Sequence, residues 1–349
     1  MIMKVVTVDP TSAKGPTRRF PTTPTSLPPA KTTTGSATEE GKTGSIYFVG
    51  TATVLLEWRG VRILTDPNFL HAGDHVHLGP GVTATRRTNP AIDLSELPRV
   101  DAVLLSHYHE DHFDREVEDS LRRDLPIITT PHAYHHLAEA KKSGEAFTDV
   151  NPLNVFESLF IDFKAPNDFN GRPLVRVSAM PGKHVPPGPM NIFGAVNDFL
   201  AMVPPTNGWM VELGYMSGGP EESFESGYRI YISGDTLMVD ELKAIPERYK
   251  GQKIDLMLVH LGGTSIPSAK MPLLMVTMDA TQGVQLVQLI NPELTIPIHF
   301  DDYDVFTSPL SDFKAAMKEA GLESKVVYLD RGDKYQFAVS DAAGSKARN

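Results

Sequence analysis

The sequence predicts an α/β fold in which two packed, mixed β-sheets are flanked by helices. Three observations lead there. A long series of short β-rich runs is separated by Gly or polar residues, and helical patterns are intercalated among those runs. The length of 349 residues, with 41% hydrophobic and 22% charged side chains, suffices for a sizeable core in one large domain.

The elements read in order as follows. Residues 1–43 are rich in Pro, Thr, Ser and Lys and poor in large apolar groups, which marks an arm, flexible or strapped on the surface. The run PTTPTSLPP would suit a polyproline ligand, but an extended strap is the preferred reading. From Ser45 the character changes: SIYFVG, TVLLEW and VRILTDP form an antiparallel meander. DAVLLSH is a continuous apolar strand ending in a histidine cluster, followed by a helix over 115–123 and the strand PIITTP. LVRVSAM, WMVELG, YRIYISGD, DLMLVHL, LTIPIHF, VVYLD and YQFAV are the later strands. One helix starts at Asp279, with Gln282 as a capping-box partner, and stops at Asn291 before Pro292. Another spans 309–320, with Leu310, Phe313 and Met317 on one stripe and Gly321 beyond its end. The main domain therefore runs over 44–340, with a short tail at 341–349 and no internal repeat.

Net charge is −10, which disfavours a nucleic-acid partner. With no cysteine, disulfides, thiolate ligands and a cysteine nucleophile are excluded, so any metal must rest on imidazole and carboxylate. No secretory-type apolar run or membrane-length stretch is present, and a cytoplasmic location is expected.

The chemistry concentrates in Ser106-His107-Tyr108-His109-Glu110-Asp111-His112-Phe113-Asp114. Directly after a buried strand, an H-x-H-x-D-H spacing lets an irregular loop aim His107 and His109 one way and Asp111 and His112 another. A solvated polar turn is the bland alternative. Further ligands are available at strand ends: His184 after LVRVSAM, Asp235 in YISGDT and His299 in TIPIHF. Singly each is weak, since a lone strand-end histidine is usually structural; together they supply what two metals need.

On these residues the chain resembles the metallo-β-lactamase superfamily, in the branch of L-ascorbate-6-phosphate lactonase and N-acyl-phosphatidylethanolamine phospholipase D. The resemblance runs over 45–331 and rests on GTATVLLEWRGVRILTDPNF and ELPRVDAVLLSHYHEDHFD. It implies an αββα sandwich and two divalent ions, zinc with manganese or iron as alternatives. The first would lie on His107, His109 and His184, the second on Asp111, His112 and His299, with Asp235 bridging. Asp66 would support the metal loop. Two such ions can share a hydroxide whose pKa falls toward about 7, and that hydroxide attacks an electrophilic carbon or phosphorus. Asp111 is then a candidate proton donor to the leaving group, and Asp66 and Asp114 are candidate acceptors fixing the imidazole tautomers.

The chain departs from that branch in two places. Gly50-Thr51-Ala52-Thr53 lacks the histidine of the G-H-A-T element, and Thr277 or Met278 stands where the phospholipase has an active-site histidine. His260, ending a strand, is a candidate catalytic residue that orients substrate or donates a proton. Tyr303 is a candidate pocket residue. The apolar insert 190–203 would form a substrate wall, a membrane-touching lip, a subunit contact or plain core. His71, His75 and His77 read as substrate-side or surface residues; His132, His135 and His136 read as structural. Arg331-Gly332-Asp333 reads as a hairpin turn.

Function narrows to hydrolysis of a small lactone, lactam or related ester or amide. A phosphodiesterase is the runner-up, and a metal-binding scaffold without activity comes from another class. Oxygen-reducing di-iron or persulfide-oxidising chemistry would use the same ligands. The expected partner is a small-molecule substrate; membrane contact is not favoured and a homo-oligomer is left open.

Overall fold

The computed structural model describes residues 4–20, 23–35, 43–79, 81–142, 144–163, 171–185, 203–216, 223–268 and 270–340. Within them, two mixed sheets carry the architecture. The first has seven strands in the spatial order Lys4–Val8, Ser158–Phe163, Arg172–Met180, Gly208–Met216, Phe224–Ile232, Leu256–His260 and Leu294–Ile298. The second has eight, ordered Val150–Pro152, Ile127–Thr129, Ala102–Leu104, Val61–Thr65, Thr53–Trp58, Thr43–Gly50, Lys334–Ala338 and Thr32–Thr34.

The strand sequences explain why the sheets stack and are then covered. Leu256 and Leu258 enter the cluster between the sheets, while Met257 and Val259 pack under helices on the opposite face. Ala102 and Leu104 likewise face the other sheet, and Val103 faces outward with Val117, Leu121 and Ala133. Side chains alternate across a strand, so burial on both faces requires the near-continuous apolar runs seen in the sequence. The Ala280–Ile290 and Leu310–Glu319 helices cover the first sheet, contributing Leu286, Val287, Phe313 and Met317 to one cluster. The Arg115–Ser120 helix and its neighbours cover the second. The layers are therefore helix, sheet, sheet, helix.

The predicted helices are present, with local differences. Asp279 caps its helix by accepting from the Gln282 amide at 2.9 Å, and Asn291 ends it at φ +49. The Gln282 side chain does not complete a capping box: its Oε1 accepts from the Met238 amide at 2.7 Å. VVYLD is not a strand. It touches the first sheet through one bridge, Thr295 to Val326, and Val327 N donates to Thr295 O at 2.9 Å. The next residue facing that way is Pro297, which has no N–H to extend a ladder. Arg331-Gly332-Asp333 is accordingly a tight turn, with Asp333 N donating to Asp330 O and Gly332 at φ +91, but not a hairpin between two strands.

Residues from the segment read as an arm supply edge strands to both sheets: Lys4–Val8 pairs parallel with Ser158–Phe163, and Thr32–Thr34 parallel with Lys334–Ala338. Most of the apolar 190–203 insert lies outside the described residues. No helix among the described residues is long and apolar enough to cross a membrane.

Gly214 sits at a register shift in the pairing of Gly208–Met216 with Phe224–Ile232. A Cβ there would collide with the Glu225 carbonyl oxygen and stand 2.9 Å from Ser226 Cα. Neither backbone atom can swing aside, so Gly214→Ala is expected to cost about 1–3 kcal/mol. Chemical denaturation would measure this, and unchanged stability would contradict the close approach.

Candidate metal centre

Strand ends build the site. In the second sheet, Val61–Thr65 runs parallel to Ala102–Leu104; in the first, Phe224–Ile232, Leu256–His260 and Leu294–Ile298 are parallel. Parallel strands bring their carboxyl ends to one edge, where loops leave the sheet and polar side chains collect. Asp66, the His107 loop, Asp235 and His299 all follow such ends, and the Asn207 amide ties the sheets together there by donating to Ser106 O at 3.0 Å.

The seven expected ligands meet in two groups. Ligand atoms of His107, His109 and His184 all lie within 4.8 Å of one another, and so do those of Asp111, His112, Asp235 and His299. Asp235 Oδ2 is 3.4 Å from His112 Nε2 and 3.6 Å from His299 Nε2; Asp111 Oδ2 is 3.8 and 3.7 Å from the same two atoms. The groups are adjacent, with the His107 and His112 ring centroids 4.2 Å apart. All seven are buried except His109, which is half-buried.

Hydrogen bonds fix which nitrogen faces inward. His184 Nδ1 donates to Val276 O at 2.5 Å and His299 Nδ1 to Leu261 O at 3.0 Å, so in both Nε2 is the nitrogen turned into the site. His107 Nε2, His109 Nε2, His112 Nε2, His299 Nε2, Asp111 Oδ1 and Asp235 Oδ1 are buried with no hydrogen-bond partner. Unpaired buried acceptors are costly. Convergent imidazole and carboxylate lone pairs are what a divalent cation of the zinc class would satisfy, so the residues fit such ions.

Charges in the cluster are mutually tuned. Burial pushes the Asp111 carboxyl up, but His112, His299 and His109 outweigh it and hold it well below the usual range. Asp235 behaves alike: burial is outweighed by His299 and His112. Burial and the neighbouring imidazoles of His112 and His184 keep His107 neutral. His184 falls to about 4, chiefly through burial, although the Asp235 charge opposes this. An ionised Asp111 suits a metal ligand.

The remaining expected residues separate. Asp66 Oδ1 accepts from Ser106 N at 2.8 Å and Ser106 Oγ at 2.9 Å and stands 3.5 Å from His112 Nδ1, while Ser106 Oγ also meets His107 Nδ1 at 2.9 Å. One carboxylate thereby orients a ligand of each group. Asp114 does something else. Its oxygens accept from Phe69 N and Val117 N, capping the Arg115–Ser120 helix, and no ligand imidazole. His260 is fully buried; Nδ1 meets Ser233 Oγ at 3.2 Å and Nε2 faces Asp66 Oδ2 at 3.8 Å. It belongs with Asp66 and His112 and not with a solvent-facing pocket. Tyr303 is no rim residue either: it is fully buried and its hydroxyl accepts from Asn68 Nδ2 at 2.8 Å.

The family profile described as the beta-lactamase superfamily domain matches residues 61–300, more than half of the chain. The chain belongs to that superfamily. Among relatives of this superfamily member, a UPF0173 metal-dependent hydrolase of Nanoarchaeum equitans is 24% identical over 237 residues, covering 68% of this chain and 86% of that protein. Another, from Salinibacter ruber, is 23% identical over 281 residues, covering 80% and 95%. The crystal structure of an isothiocyanate hydrolase from Delia radicum gut bacteria superposes with a TM-score of 0.62 at 16% identity, covering 83% of this chain and 98% of that one. The αββα sandwich is thus the fold of this beta-lactamase superfamily chain.

Several residues that serve the superfamily site were not singled out for these roles in the sequence. Thr277, noted only as a missing histidine, donates to Asp235 Oδ2 at 2.9 Å. Thr51, the other missing histidine, has φ +50 and accepts the His299 amide on its carbonyl at 2.7 Å. Behind it, Asp302 Oδ2 accepts from Thr51 N at 2.9 Å, while Oδ1 is gripped by Arg331 and lies 3.8 Å from the fully buried Arg86. Arg86 donates to Asn68 Oδ1, and Asn68 Nδ2 donates to the Asp111 carbonyl at 3.0 Å. His299 and Asp66 themselves adopt φ +59 and +35, in the left-handed region that residues with a side chain seldom enter and that Asp and His tolerate better than most.

Asp66→Asn keeps the volume and removes the charge. Loss of an outer partner of this kind is expected to weaken metal affinity about 10–100-fold. Competition with a chelator would read this, and unchanged affinity would show that Ser106 orients the imidazoles unaided.

Proposed function

We propose that this protein is a dinuclear metal-dependent hydrolase that opens a small lactone, lactam or related ester or amide. The observation that carries the proposal is the pair of adjacent ligand groups, whose buried lone pairs converge without protein partners. His107, His109 and His184 would hold one ion; Asp111, His112 and His299 the other, with Asp235 between. The Asp235 charge acts on His107 and His184 as well as on His112 and His299, which supports a place between the groups. Divalent ions there would acidify water and polarise the bond under attack.

The chain's own residues would set orientation and access. Thr277 holds Asp235, and the Phe306 ring lies 4.5 Å from the His299 ring, placing an apolar wall on that half. On the other half, a cavity of about 450 Å³ is lined by His109 together with His77, Tyr108, Phe113 and charged side chains. Its cations are already paired: Arg115 with Glu110 at 2.6 Å and Lys141 with Glu118 at 2.6 Å. Glu110, Glu118 and Asp119 outnumber them. Such a lining favours a neutral ring over a phosphodiester, whose charge would be met by the ions alone and repelled by the surplus carboxylates.

Two measurements test the proposal. Asp111→Ala and His299→Ala should each lower metal content from two equivalents per chain to one and reduce turnover to background. Full activity in either variant would contradict the dinuclear reading. A panel of lactones, lactams and bis-p-nitrophenyl phosphate should give turnover of the carbonyl substrates. Turnover of the phosphodiester alone would favour the phosphodiesterase, and inertness of the fully loaded protein toward every member would favour a scaffold.

A further inference from the structure

A second histidine cluster lies outside the site. His132 belongs to the short Pro131–Tyr134 helix and His136 to the π-helical turn His135–Glu139 that continues it. Four residues apart, they share one face. Their Nε2 atoms are 3.3 Å apart, with ring centroids at 4.6 Å and planes tilted by 54°. His135 points elsewhere, its Nδ1 bound to Glu139 Oε2 at 3.0 Å.

We propose that His132 and His136 form a bidentate chelate for a transition-metal ion, separate from the centre around Asp235. Two nitrogens at about 2.0–2.1 Å from a tetrahedral ion stand about 3.3–3.4 Å apart, which matches the observed separation. For a shared proton the same distance is long, since N–H donors usually sit at about 2.7–3.2 Å from their acceptor. Two imidazoles without a carboxylate select copper, nickel or zinc over magnesium or calcium. Both rings are half-buried, so solvent or an external ligand completes the coordination. Burial, then the neighbouring imidazoles, lowers the proton affinity of His132, and burial with His135 does the same for His136, which keeps the ligand form populated.

The chelate is one ring away from the catalytic loop. Tyr108 stacks on His136 with centroids 5.0 Å apart and planes within 5°, and Tyr108 lies between His107 and His109 in sequence. An ion held by His136 would therefore be separated by the Tyr108 ring from the loop that carries two ligands of the first group.

The test uses full-length protein preloaded with zinc, in a His75→Gln/His77→Gln background, because those two exposed imidazoles lie on one strand. Calorimetric titration with Cu²⁺ should show one equivalent beyond those already bound, and its EPR spectrum should show coupling to two imidazole nitrogens. His132→Gln and His136→Gln should each abolish that equivalent and leave the preloaded zinc in place, whereas His135→Gln should keep it. Retention of the preloaded zinc reports that a variant has folded, and the EPR spectrum needs no change at His132 or His136. No extra equivalent, coupling to a single nitrogen, or full binding by His136→Gln would overturn the proposal. The zinc content before titration separately reports on the dinuclear reading.

Discussion

The fold is organised around a repulsive problem. Two carboxylates and five imidazoles are driven out of water into one edge of the sandwich, with their lone pairs turned toward each other. Burying an unpaired charge costs several kcal/mol, and among the described residues the partners that these two carboxylates share are the imidazoles of His112 and His299. The imidazoles absorb part of the cost: His112 is driven to a higher proton affinity, against its burial, by Asp235 and Asp111. Divalent ions would absorb the rest. Binding energy and stability are then the same quantity, because the unfolded chain cannot offer such a site.

Holding those groups together demands rigidity behind them. Ser106 and Asp66 orient His107 and His112 from one side. From another, a buried chain of polar contacts runs from Arg331 through Asp302 and Thr51 to the His299 amide, and from Arg86 through Asn68 to the Asp111 carbonyl. Two positive groups surround one carboxylate in that chain. It fixes backbone carbonyls and amides, so the ligands it positions keep their own side chains free for coordination.

Much of this was legible in the sequence because its causes are local. Alternating and continuous apolar runs follow from strand geometry, so the layers could be read from strands such as DLMLVHL and DAVLLSH. The H-x-H-x-D-H loop stood out through spacing, and His184, Asp235 and His299 through their place at strand ends. What escaped reading depends on distant contacts. Arg86 and Asp302 are ordinary residues until 216 positions of chain fold back to join them. Thr277 looked like the loss of a histidine and is in fact the hydroxyl that holds Asp235. VVYLD has the composition of a strand, but a proline on its neighbour removes the donor it would need. Asp114 and Tyr303 were placed near the site by proximity in sequence, whereas their polar atoms are occupied by a helix cap and by Asn68.

The Arg331 contact carries an implication for local stability. Thr51 lies far along the chain from Asp302, whose carboxylate fixes it, and from Arg331, whose guanidinium fixes that carboxylate. The backbone that presents His299 therefore leans on a contact spanning 251 positions of the chain. Opening of the segment around Arg331 would loosen Asp302, Thr51 and, through its carbonyl, the His299 amide, so this half of the site shares its local stability with a remote part of the chain.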